Sequence, residues 1–265
     1  MALTRVKARM PAHIAALFQY PIKGFTPQSV ETAPLDVGGV FPGDRLMAVE
    51  DGPCGFDPAD PAFIRKSKFT VLARSAAVAK IRTHLALETG HLSARAPDAE
   101  AFEGQIADPA TRDAFAAWLT HCLARIAPGE FSGPLRLVEG GDHRFTDHPK
   151  GHVSLLNLAS VRELETRLGV AVDPARFRAN IHVEGWPAWA ENEWTGHALR
   201  LGAARARVFA PIVRCAATCA DPATGVRDHD IPAALHRLYG HVLCGIYVQV
   251  EAPGEVRVGD EVETL

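Results

Sequence analysis

The sequence predicts a β-rich α+β fold: an N-terminal β-barrel-like part packed on a second, mixed β-barrel, with helices on the periphery. Three observations carry this expectation. Apolar segments in the first hundred residues are short and are separated by Gly- and Pro-containing turns, a spacing that suits a barrel or sandwich. Clear helix-start signals occur at Asp108-Pro109 and near Ser160. The regular strand–helix alternation of a doubly wound parallel sheet is absent.

Taken in order, His13 to Phe25 alternates weakly and reads as a strand feeding a loop at Lys23-Gly24. Arg45 to Glu50 reads as a second strand, closed by a turn at Asp51-Gly52-Pro53. Phe69 to Arg74 and His84 to Glu88 read as short strands, and Thr89-Gly90 turns the latter onto His91 to Ala96 as a hairpin. Asp108 is placed to cap a helix whose first residue is Pro109, where the missing N–H costs nothing. Phe115, Trp118, Leu119, Cys122, Leu123 and Ile126 form its apolar stripe, and Pro128-Gly129 ends it. A second helix is predicted over Ser160 to Leu168, with Ser160 and Glu163 at capping-box spacing and Gly169 as its stop. Strands follow at Asn180 to Val183, Ala198 to Leu201, Arg205 to Phe209, Gly245 to Val250 and Glu261 to Leu265. The seam falls between Pro128 and Pro134, dividing the chain into 12–128 and 129–265, closely packed as one body.

A chain of 265 residues with 47% hydrophobic and 22% charged residues supports a large core. The net charge of −3 gives no global pull toward nucleic acid. No apolar run reaches the length of a membrane span. Met1 to Met10 reads as a frayed start and not as a secretion signal. Five irregularly spaced cysteines fit a reducing, cytoplasmic setting better than a disulfide framework, and they carry no ferredoxin-type run.

The most informative segment is Arg214-Cys215-Ala216-Ala217-Thr218-Cys219-Ala220-Asp221-Pro222-Ala223-Thr224-Gly225. It puts a thiol beside a guanidinium on a loop after an apolar strand, where a cation favours the thiolate. The bland alternative is a small buried hydrophobe. Asp221 reads either as an Asx-type turn acceptor or as a carboxylate that moves protons. Cys215, Cys219 and Cys244 with nearby histidines lack zinc-ligand spacing. His143, His148 and His152 flank Asp147-Pro149 in a segment expected to form a loop over a cleft.

Other motifs stand in a fixed order around this segment: Tyr20-Pro21-Ile22-Lys23-Gly24, Gly43-Asp44-Arg45, Arg176-Phe177-Arg178-Ala179-Asn180, Leu201-Gly202 and Val258-Gly259-Asp260-Glu261-Val262. Together they resemble the MOSC (molybdenum cofactor sulfurase C-terminal) domain preceded by its N-terminal β-barrel domain, as in the mitochondrial amidoxime-reducing components. The resemblance implies a molybdopterin-type molybdenum cofactor, and pyridoxal phosphate is not among the groups it implies. It assigns Cys215 as the molybdenum ligand, Lys23, Arg45, Arg178, Asn180 and Arg214 to cofactor binding, and Asp221 with Cys215 to catalysis. The implied activity is reduction of N-hydroxylated or N-oxide small molecules, with electrons from an external ferredoxin or cytochrome b5-like donor. The alternative is a non-catalytic carrier that relays the cofactor or persulfide sulfur between donor and acceptor, with Cys219 as a second thiol. Gly24 departs from the resemblance by replacing a serine, and Ala179 by replacing a proline.

Overall fold

A computed structural model describes residues 11–150 and 152–265; the expectation for Met1 to Met10 lies outside them. Its centre is an eight-stranded sheet in the order β15-β11-β12-β13-β9-β10-β1-β2. In chain order these strands are β1 (His13–Gln19), β2 (Gln28–Val30), β9 (Val153–Asn157), β10 (Ile181–Glu184), β11 (Ala198–Leu201), β12 (Ala204–Val213), β13 (Leu243–Ala252) and β15 (Val262–Thr264). All neighbours are antiparallel except β9 and β10. A parallel pair needs a crossover, and helix α2 (Leu158–Leu168) supplies it. Smaller sheets pair β3 (Thr32–Leu35) with β14 (Gly254–Arg257) and β4 (Met47–Asp51) with β8 (Leu135–Glu139). A third joins β5 (Arg82–Ala86), β6 (His91–Arg95) and β7 (Phe102–Gln105). Two further helices are α1 (Pro109–Ile126) and α3 (Ile231–Tyr239). The fold is therefore β-rich α+β, as the sequence predicts.

The two halves are laced together by strand pairing. β1 and β2 come from the N-terminal half yet complete the large sheet, and β3 pairs with β14 near the C-terminus. One face of the large sheet buries Ile14, Leu17, Leu155, Ile181, Val208 and Ile246. Along β9 and β13 the side chains alternate, so Ser154 and Tyr247 point away from that core, as a period of two requires. This second face is covered on one side by α2 and α3, through Leu156, Leu164 and Leu235. On the other side lies the N-terminal core with Phe115 and Leu119 of α1, each such side chain contributing about 1.5–3 kcal/mol by burial. The cleft lies between these two coverings.

The start of α1 is as predicted: Asp108 Oδ1 accepts from Ala110 N at 3.0 Å and Pro109 opens the helix. Helix α2 starts two residues earlier than expected. Its cap is Asn157, whose Oδ1 accepts from Ala159 N, while buried Ser160 donates its hydroxyl to Glu191 at 2.8 Å. A tertiary partner thus takes the hydroxyl that the capping box required. Phe69 to Arg74 is not a strand. Phe69 makes one bridge to Glu50, and the segment divides its side chains between two cores, Phe69 and Val71 in one and Leu72 in the other. The sequence pattern gives no strand at β2, β3, β7, β8, β9 or β14 and no helix at α3. β9 is buried along its whole length and so shows no alternation of polarity.

Candidate functional site

Cys215 follows β12 and opens a 3-10 turn, Ala216–Cys219; Ala217 within it and Ala220 just after it pack into the N-terminal core. That anchorage brings the thiol against the N-terminal half. Lys66 Nζ lies 3.3 Å from Cys215 Sγ. The cation beside the thiol is therefore Lys66, and not the adjacent Arg214. Arg214 spends Nε on Cys244 O (2.7 Å) and Nη1 on Phe177 O (2.8 Å).

Cys215 and Lys66 line a cleft of about 420 Å³ together with Arg45, Asp147, Arg176, Arg178, Asn180 and Arg214. A smaller recess beside it shares Arg45, Lys66, Asp147, Arg178 and Cys215 and adds Lys23 and Gly24. Of the residues the resemblance assigns, only Asp221 lines neither. Its Oδ1 accepts from Ala223 N, Thr224 N and the Thr224 hydroxyl, and its Oδ2 accepts from Arg176 at 2.9 Å. The turn reading of Asp221 accounts for the three Oδ1 bonds, and the Oδ2 bond is a tertiary ion pair with Arg176.

Lys23 is 4% exposed and donates to Phe145 O at 2.8 Å and to Asp147 Oδ1 at 2.5 Å. Burial lowers its pKa, against the pull of Asp147. Burial raises the Asp147 pKa, but Lys23 and Lys66 overcome this and bring it down to about 2. Lys66 Nζ stands 3.9 Å from Asp147 Oδ2. The carboxylate thus stays ionised between two ammonium groups.

Arg45 and Arg178 both hold left-handed backbones, at φ 49° and 51°. Such positions cost non-glycine residues free energy and cluster at functional sites. Their guanidinium groups lie over the Tyr20 ring, 4.6 Å and 4.4 Å from its centroid. Burial pushes the Tyr20 pKa up to about 12 and the Arg178 pKa down to about 10. Asp44, nearly fully buried, accepts from Tyr20 N, Asn180 Nδ2 and Arg45. Asn180 is spent inside the protein as well: it donates to Asp44 and Phe18 O and accepts from both the backbone and the hydroxyl of Ser154. It ties β1, β9 and the Asp44 turn into one wall.

Three guanidinium atoms stay buried without a hydrogen-bond partner among the described residues: Arg178 Nη2, Arg214 Nη2 and Arg176 Nε. An orphaned charged donor is costly, and these three arginines line one cleft. Among the described residues no three His, Cys, Asp or Glu side chains converge as a metal site. Sequence reasoning missed Lys66 and Asp147 as site residues. Lys66 sits in a polar run without a motif, and the signal at Asp147 was only its place in the expected loop.

Cationic donors without partners and one thiol, Cys215, line a single cleft between two interlaced β-structures. The chain belongs to the MOSC family: residues 142–263 match the MOSC domain and residues 11–131 the MOSC N-terminal beta barrel domain. Over 182 residues it is 30% identical to mitochondrial amidoxime-reducing component 1 of Homo sapiens, covering 58% of this chain and 51% of that protein. Over 129 residues it is 30% identical to molybdenum cofactor sulfurase of Bos taurus, covering 42% and 14%. The chain thus spans about half or less of the length of these relatives. It aligns with the YUAD protein of Bacillus subtilis over 96% of both chains, at 16% identity and a TM-score of 0.41. Among the described residues no helix is long and apolar enough to cross a membrane.

Proposed function

We propose that this chain binds a molybdopterin-type molybdenum cofactor in the cleft and reduces N-hydroxylated or N-oxide compounds with electrons from an external donor protein. The observation that carries this reading is the Cys215 thiol, faced by Lys66, in a cleft where Arg178 and Arg214 each keep a buried N–H without a partner. A phosphate or pterin oxygen satisfies such donors, and arginine matches phosphate oxygens in two-point contacts. The cleft volume falls within the range of small-molecule sites. The donor set fits as well. A lone thiol suits a soft metal whose other ligands come from the bound group.

When bound, the cofactor supplies a two-electron centre that takes oxygen from nitrogen. The protein's own part is binding and electrostatics. Cys215 Sγ supplies the protein ligand, and Lys66 Nζ stabilises negative charge beside it. Lys23, Arg45, Arg178 and Arg214 hold the anionic part. Asp147 balances Lys23 and Lys66, so that the site is not a bare block of like charge. Asn180 and Asp221 act by fixing the walls. Arg176 clamps the Cys215 loop through Cys219 O and Asp221 and is itself paired with Asp228. The proposed setting is a reducing compartment such as the cytoplasm, in which the cysteines stay free of disulfides.

The carrier alternative needs a second thiol within reach of Cys215. Cys219 is buried, lines neither part of the cleft, and lies 3.9 Å from Asp230 Oδ1. Burial raises its pKa, which disfavours the attacking thiolate. The test is to purify the chain from a cofactor-competent host and measure molybdenum and pterin, expecting about one of each per chain. Folded protein with neither overturns the proposal. Loaded protein that reduces no N-hydroxylated compound with an artificial donor, yet transfers labelled sulfur, establishes the carrier instead.

A further inference from the structure

Lys23, Lys66, Arg178 and Cys215 line the small recess, which contains no aromatic ring. The larger cavity extends beyond them to His148, His152, Phe209 and Tyr247. These rings form one cluster. His152 stacks on Phe209 with centroids 4.2 Å apart and planes at 27°. His148 meets His152 at 4.8 Å and Phe209 edge-on at 5.2 Å, and Tyr247 stands 5.8 Å from His152. Between Phe209 and Cys215 the wall of the cleft runs through Ala210, Pro211, Ile212 and Val213, which carry no charge, and only then reaches Arg214 beside the thiol. Six residues of strand span at most about 20 Å.

We propose that His152 and Phe209 form the subsite for the non-reacting part of the substrate, and that this part is a flat, uncharged aromatic or heteroaromatic ring. The inference rests on the reductase reading above and deepens it. Phe209 is 37% exposed, a large ring held at the cleft surface and not in the core. It sits where the register of β12 against β13 shifts between Val208 and Ala210, an irregularity that re-aims a side chain and is frequent beside active sites. His152 is only 8% exposed, and its Nε2 is buried without a partner among the described residues. A polar ligand atom satisfies it. Burial, with His148 and Lys150 nearby, lowers the His152 pKa to about 4, so the ring is neutral at pH 7 and adds no charge to this end. A ligand ring packing on the exposed side of Phe209, with a polar atom toward His152 Nε2, points its N–hydroxyl past Ala210 to Val213 toward Arg214 and Cys215. Aromatic amidoximes and hydroxamates have this shape.

The test uses benzamide, which is flat and uncharged and has no N–O bond to reduce, and cyclohexanecarboxamide, which matches its size without a π-face. Both are titrated against the protein purified from a cofactor-competent host, with NMR detection of the histidine imidazoles. Benzamide is expected to bind at least fivefold more tightly than the saturated amide and to shift the His152 signals. Phe209→Leu and His152→Ala are each expected to weaken benzamide at least fivefold, and to lower the ratio of kcat/KM for benzamidoxime over acetamidoxime by a similar factor. Phe209→Leu changes a partly exposed position, and its unchanged melting temperature shows that folding is not the cause. Equal binding of the two amides, or variants that bind benzamide as the wild type does, overturns the subsite. Amide binding needs no turnover. A protein that binds benzamide through these rings and reduces nothing refutes the reductase reading alone; one that reduces both oximes alike and ignores benzamide refutes the subsite alone.

Discussion

Gly24→Ala is expected to destabilise the protein by about 2–5 kcal/mol. Gly24 has φ +88°, and a Cβ there would stand 2.8 Å from Thr70 O, 3.0 Å from Val71 Cα and 3.1 Å from Val71 Cγ1. The left-handed backbone alone costs a side-chain-bearing residue about 1–2 kcal/mol. The nearest contact is with backbone, which cannot rotate aside, and Thr70 N is pinned to Val49 O at 2.7 Å. Forcing that wall outward adds about 1–3 kcal/mol. At roughly 2–4 °C per kcal/mol for a chain near this size, the melting temperature should fall by roughly 4–20 °C. Gly38→Ala is the internal control. It has φ +66° but nothing within 4 Å, so it bears only the backbone part, about 1–2 kcal/mol. Calorimetry of both variants separates the two contributions. A Gly24→Ala protein no less stable than Gly38→Ala refutes the steric argument. Val71 lines the recess beside Lys66, so cofactor content should fall with stability in Gly24→Ala and not in Gly38→Ala.

Cys215→Ser is expected to abolish reduction and cofactor retention while melting within about 1 °C of cofactor-free wild type, because the thiol lines an open cleft where a hydroxyl stays solvated; activity and calorimetry of the cofactor-free proteins read together check it. Arg176→Met leaves Asp221 and Asp228 without their shared cation and should cost about 2–4 kcal/mol in denaturant titration, less than a fully buried pair because both carboxylates keep some contact with water. The Asp147 pKa in the folded protein, about 2, lies below its ordinary 3.8. Its contribution is thus complete above about pH 5 and fades as pH falls through 2. The difference in melting temperature between wild type and Asp147→Asn should be constant from about pH 5 to 7 and close toward pH 2, and a gap that widens on acidification contradicts the Lys23–Asp147–Lys66 pairing.

Local signals were legible wherever a residue's neighbours in sequence are also its neighbours in space. The Asp108-Pro109 start of α1, the Thr89-Gly90 hairpin and the Gly169 stop of α2 follow from backbone chemistry within a few residues. Cys122 lay on a helical stripe and is buried. Segments whose partners are remote misled the same reasoning. Ser160 gives its hydroxyl to Glu191 and not to a cap, and Phe69 to Arg74 is shared between two cores.

The sequence by itself determined a β-rich α+β fold, the family, and the loop on which Cys215 stands, because ordered motifs and turn residues are local facts. The tertiary structure alone decided which charges meet there. Lys66 reaches Cys215 across 149 positions and Lys23 reaches Asp147 across 124, distances over which no periodicity carries information. Arg214, next to the thiol in sequence, turns instead to Cys244 O and Phe177 O. The physical reason is that a side chain's partner is set by which surfaces the core brings together. Here β1 and β2 join the C-terminal sheet, and Ala217 and Ala220 enter the N-terminal core, so the cleft forms only once both halves have packed.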